Sequence, residues 1–187
     1  MKILFVGRLV DFKDPVVFLK AARLLSSNAA ETPHEFIIAG DGGLMKECKE
    51  LARGFDNIHL LGWVKQEIVN DLMHQADVFC QLSPYENIWA ATLISAMKHK
   101  KAIICTNVGY TSTFLKNDHH AILIPSRDHA GLAKAITRLS NDSELRRVLG
   151  ENAFSFVQEN LSVEKITDEI RHLLIHTVEQ WKASRLT

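Results

Sequence analysis

The chain has 187 residues, 47% of them hydrophobic and 24% charged, which is the makeup of a well-buried globular domain rather than a fibrous or disordered chain. Lys plus Arg (22) balances Asp plus Glu (22), so no net field draws nucleic acid or an anionic membrane, and any anion binding must be local. No apolar run reaches membrane-spanning length, and Met1-Lys2-Ile3-Leu4-Phe5-Val6-Gly7-Arg8 reads as a buried strand rather than a signal peptide.

From the N-terminus, short apolar runs alternate with longer amphipathic stretches. Residues 3–6 form a predicted strand and 15–25 a helix, with Pro15 in the first turn, where a missing N–H costs nothing. A strand at 36–39 is closed by Gly40-Asp41-Gly42-Gly43 and leads into a helix at 44–53. Next come a strand at 58–61, a helix at 66–75, a strand at 77–82 and a helix at 90–99. A strand at 102–106, a short helix at 111–115 and a strand at 121–124 complete the alternation. After Pro125 the pattern is purely helical, at 129–139, 143–159 and 163 to about 182, with Asn141-Asp142-Ser143 as a capping cluster. This rhythm predicts an α/β fold, a doubly wound, mostly parallel Rossmann-like sheet with extra C-terminal helices, forming a single domain over residues 1–187. Its ligand is expected beyond the carboxyl ends of the strands.

The three cysteines, Cys48, Cys80 and Cys105, fall in one predicted helix and two predicted strands. They read as reduced thiols in or near the core of a cytoplasmic protein, with no structural disulfide expected. Nine histidines raise the question of a metal. His172 and His176 stand one helical turn apart and His119-His120 sit in a loop, yet no Glu lies between the helical pair and no Cys stands at ligand spacing. No metal and no other cofactor is expected, and no nucleophile elbow is visible.

Four segments carry candidate chemistry. Gly7 lets the backbone turn sharply beyond the first strand, where Arg8 could grip phosphate oxygens and Lys13 add a point charge. The alternative is two solvated cations, with Lys13 paired to Asp11 or Asp14. The turn Gly40-Asp41-Gly42-Gly43 could cradle a phosphate but lacks dinucleotide spacing, and reads better as a tight connection. Gly62-Trp63-Val64 could offer backbone groups and an aromatic edge to a base, or Trp63 could simply fill the core.

The most specific segment is Pro84-Tyr85-Glu86-Asn87-Ile88-Trp89, ahead of a helix beginning near Ala90. Glu86 could accept from sugar hydroxyls while the free N–H groups of the helix start hold a diphosphate. The alternative is a carboxylate that caps its own helix. In a parallel sheet these strand ends share one rim, which suits a nucleotide-sugar.

Read together, these segments resemble the C-terminal, donor-binding domain of the retaining GT-B glycosyltransferases of the group-1 family. The resemblance rests on Phe5-Val6-Gly7-Arg8-Leu9 with Lys13, Ile38-Ala39-Gly40-Asp41-Gly42, Ile58 through Val64, Leu82-Ser83-Pro84-Tyr85-Glu86 and Ser95-Ala96-Met97, in order and spacing. It implies that Arg8 and Lys13 bind the donor diphosphate and that Glu86 contacts the transferred sugar. Asn87, Ile88, Trp89 and Ala90 would supply backbone N–H groups, and Gly7, Gly62, Trp63 and Val64 would line the donor pocket. It also implies metal-free transfer, and an acceptor-binding N-terminal domain or partner chain to complete the site.

The chain departs from the family pattern at several places. Ile94 and Ser95 stand where a second glutamate usually binds the ribose, leaving Ser95 as the nearest polar side chain. The usual glycine after Lys13 is Asp14, and Gly109-Tyr110-Thr111-Ser112-Thr113 replaces a glycine pair followed by glutamate. These changes open an alternative, a non-catalytic, degenerate glycosyltransferase-like interaction domain.

Overall fold

The computed structural model describes residues 1–27, 34–85 and 90–184. Six strands alternate with helices: β1 (Lys2–Val6), α1 (Pro15–Ser26), β2 (Glu35–Ala39), α2 (Met45–Ala52), β3 (Ile58–Gly62) and α3 (Gln66–Gln75). They continue as β4 (Val78–Gln81), α4 (Ala91–Lys98), β5 (Ala102–Thr106), α5 (Thr111–Phe114), β6 (Ile122–Ile124), α6 (His129–Asn141), α7 (Ser143–Asn160) and α8 (Val163–Ser184). A short 3-10 turn at Asp11–Lys13, absent from the sequence reading, sits between β1 and α1.

All six strands are parallel and run in the order β3-β2-β1-β4-β5-β6. The chain winds outward from β1 to β3, then returns to the centre and winds the other way. The switch point therefore falls between β1 and β4, where a doubly wound sheet opens a crevice beyond its strand ends.

Burial on both faces explains the near-continuous apolar strands. Ile3 and Phe5 of β1 join a cluster with Phe36, Phe18 and Leu19 of α1, and Leu132 and Ile136 of α6. Leu4, Phe79 and Ile103 point the other way and are fully buried on the face covered by α3 and α4. Asp14 caps α1 by accepting from the Val17 N–H, and Asp142 Oδ1 accepts from the Leu145 N–H at the start of α7.

The chain divides into two compact units, Met1–Phe154 and Ser155–Thr187. The first holds the whole sheet. The second holds the end of α7 and α8, whose Ile166, Ile170, Leu173 and Leu174 form an exposed apolar stripe. Among the described residues no helix is long and apolar enough to cross a membrane. All three cysteines are free and buried.

Candidate functional site

Three loops meet at the carboxyl ends of β1, β2 and β3. The backbone leaves β1 through Gly7, which donates to the Ala39 carbonyl at 3.0 Å, and Leu9 N–H donates to the Asp41 carbonyl at 2.9 Å. Gly40 N–H donates to the Gly62 carbonyl at 2.7 Å, joining the end of β2 to the end of β3. The glycine-rich turn is thus occupied in packing. A Cβ on Gly40 would lie 1.9 Å from the Gly7 carbonyl oxygen, and one on Gly42 would lie 2.5 Å from that of Leu9. It is a tight connection, as its spacing indicated.

Between these loops lies a cavity of about 170 Å³ lined by Val6, Gly7, Arg8, Ala39, Gly40, Asp41, Trp63, Val64 and Val69. It unites six of the residues singled out from the sequence: Gly7, Arg8, Gly40, Asp41, Trp63 and Val64. Trp63 is 73% exposed, which rules out core filling and leaves its ring at the pocket mouth. Gly62 adopts φ +70°, a left-handed conformation that suits glycine and turns the chain toward Trp63. A larger groove of about 820 Å³ between α1 and α6, lined by residues such as Leu24 and Ala133, lies on the helical flank away from the strand ends.

The 3-10 turn places Lys13 beside this rim. Its stem would pack 3.8 Å from a Cβ built on Gly7, and its ammonium lies 5.0 Å from the centre of the Phe12 ring. Burial first, and then the nearby Arg8 guanidinium, push the Lys13 pKa below its ordinary value. Neither Arg8 nor Lys13 forms an ion pair among the described residues. The bland pairing of Lys13 with Asp11 or Asp14 does not occur. Asp11 pairs instead with Arg127, and Asp14 faces inward as the helix cap.

Asp14 also explains why glycine would suit its position, since its φ of 54° is left-handed. Its carboxyl is buried, Oδ2 has no hydrogen-bond partner among the described residues, and burial raises its pKa despite the Val17 N–H.

On the far side of the switch point, α4 begins at Ala91 with Ala90 as its cap, half-buried and extended. Among the described residues no side chain caps this terminus and no acidic residue sits in its first turn, which leaves its N–H groups and positive dipole end available to an anion. Thr92 anchors that turn by donating to the buried Gln81 Oε1 at 3.2 Å. Ser95 sits further along α4, half-buried, its carbonyl accepting from the His99 N–H, and it does not line the cavity. Glu86, Asn87, Ile88 and Trp89 lie outside the described residues. Tyr85, immediately before them, stacks on Phe12 with ring centres 6.0 Å apart, so the β4 loop meets the β1 loop.

The aromatic contact of Phe12 with Tyr85 and the Asp11–Arg127 pair were missed from sequence. Their partners stand far apart in the chain, and no local periodicity marks them. Among the described residues no three His, Cys, Asp or Glu side chains converge as a metal site would require.

The description "Glycosyl transferases group 1" matches residues 1–156. The chain belongs to that family. A group-1 relative from Campylobacter jejuni, named GalNAc-alpha-(1->4)-GalNAc-alpha-(1->3)-diNAcBac-PP-undecaprenol alpha-1,4-N-acetyl-D-galactosaminyltransferase, is 32% identical over 152 residues. The match covers 81% of this chain and 42% of that protein, so the chain spans less than half of the relative's length. Among solved structures, the C-terminal domain of a group 1 family protein (LpcC) from Francisella tularensis superposes with a TM-score of 0.77 at 20% identity, covering 87% of this chain and 86% of that one. Anabaena Alr3699/HepE in complex with UDP superposes at 0.82 and 18% identity, covering 94% and 48%. The fold is that of the C-terminal domain of GT-B glycosyltransferases.

Proposed function

We propose that this group-1 domain binds a nucleoside-diphosphate sugar and supplies the donor half of a retaining glycosyltransferase site. One observation carries the reading: Arg8 and Lys13 are held close enough to repel each other, with no carboxylate partner among the described residues. Holding like charges together costs stability, and a bound diphosphate would offset that cost. The UDP bound to Anabaena Alr3699/HepE, which shares this fold, supports the same choice of ligand.

As the sugar leaves the diphosphate, negative charge builds on the leaving oxygens. Arg8, Lys13 and the N-terminus of α4 would stabilise that charge electrostatically, without a metal. Trp63 and Val64 would hold the base, with the aromatic ring as a stacking face. Glu86 would hold the sugar hydroxyls and so orient the anomeric carbon. The acceptor and the groups that activate it would come from a second domain or chain, since the match covers 42% of the Campylobacter relative. The exposed apolar stripe of α8 would suit contact with such a second domain or chain.

Calorimetric titration with UDP, GDP, ADP and their hexose conjugates tests the reading. Arg8→Ala should weaken the best of them by about 1.5–3 kcal/mol, the range for a charge-assisted hydrogen bond. A second reading, a degenerate domain kept for protein contacts, is favoured by the α4 position that carries Ser95 and no carboxylate. Absence of saturable binding up to millimolar nucleotide would favour it.

A further inference from the structure

Three loops, after β1, β4 and β6, are brought together by residues far apart in the chain. Nη2 of Arg127, in the loop between β6 and α6, reaches both carboxylate oxygens of Asp11, at 3.1 and 2.9 Å. The Tyr85 side chain, after the β4 strand, also favours the charge on this guanidinium, though less than Asp11 does. The Tyr85 ring lies nearly parallel to Phe12, at 19°, and the Lys13 ammonium sits against the same Phe12 ring. Arg127 itself has φ +60°, a left-handed conformation that glycine adopts freely and a residue with a Cβ adopts at a cost. Something must hold it there. Its ion pair with Asp11, on a separate loop, provides that hold.

We propose that Arg127 is a positioning residue for the donor site, acting through Asp11 and Tyr85 to keep Lys13 in register with the segment that leads into Glu86. This rests on the donor-binding reading above. The clasp is distinct from the pocket at Trp63, because none of Asp11, Phe12, Tyr85 and Arg127 lines that cavity. It should therefore tune how the diphosphate is held and leave the base unaffected. Arg127 and Asp11 are each more than half exposed, so the effect is modest and screened by salt.

The test uses Arg127→Gly, which removes the guanidinium and relieves the left-handed backbone, so the variant should melt no lower than the parent chain. The parent is first titrated with UDP, GDP and ADP, and then with the nucleoside of whichever diphosphate binds. Arg127→Gly should weaken the diphosphate about fivefold and leave the nucleoside unchanged, a split that general loosening of the fold would not produce. Asp11→Asn should give a similar loss, and the double variant no more than either alone. Equal diphosphate affinity in parent and Arg127→Gly overturns the positioning role. A parent chain that binds none of the three diphosphates overturns the donor reading itself, and this role with it.

Discussion

Gly40 meets Gly7 so closely that no side chain fits between them, its missing Cβ falling 1.9 Å from the Gly7 carbonyl oxygen. The approach locks the end of β2 against the residue before Arg8. Gly40→Ala combines this backbone clash with a φ of 149° that L side chains rarely adopt, and should cost about 3 kcal/mol in urea denaturation. A variant as stable as the parent chain would mean that the two loops are not packed as described.

Asp14→Asn should stabilise the fold near neutral pH by about 0.5–1 kcal/mol. Burial raises the Asp14 pKa above 3.8, so its ionised form weighs against folding at any pH above the folded value. That cost fades as pH falls from the folded value toward 3.8. Asparagine caps helices equally well, tolerates left-handed backbone and carries no charge to bury. The advantage of the variant, read from melts across pH, should shrink on acidification. An advantage that instead grows as the solution is acidified contradicts the assignment.

Lys13 titrates below 10.5 because burial and Arg8 both disfavour its charge. Its protonated form weighs against folding below the folded pKa, and that cost disappears as pH rises from there to 10.5. Diphosphate affinity should fall over the same rise, since neutral Lys13 no longer attracts the anion. Arg8→Ala should move the Lys13 titration upward, followed by carbon-detected NMR at Cε. A titration that stays in place would place the two cations further apart than the rim requires.

The three thiols should resist alkylation in the folded chain and react only after denaturation. Burial pushes Cys48 up to about 11 and Cys105 up to about 12, and raises Cys80 further still. The reactive thiolate is therefore scarce at pH 8 even before access is considered. Rapid labelling of Cys80 or Cys105 in native protein would contradict a sheet covered on both faces.

The secondary structure was legible because burial and periodicity carry the same information in a doubly wound fold. The strands at Ile3, Phe36, Val78 and Ile104 are covered on both sides, so each appears as an apolar run, and their predicted ends differ from the observed ones by at most one residue. Arg8 and Trp63 could be named as candidates because each follows a strand directly, where a parallel sheet gathers its loops. What placed Lys13 was less visible. The turn at Asp11–Lys13 is too short for periodicity, and Asp11 finds its partner in Arg127, a contact no local pattern encodes. Trp63 was ambiguous for another reason, since its ring serves core packing and ligand stacking equally well until exposure is known.

The central place of β1 would tie the proposed donor binding to maturation of the protein. Its neighbour β4 lies some seventy residues downstream, with Ile3 beside Val78. The loop that carries Arg8 and Lys13 thus meets the loop after β4 only in molecules whose two half-sheets have joined. The stoichiometry of a nucleotide titration would then count the mature fraction of a preparation, and a misjoined chain would go silent rather than bind weakly.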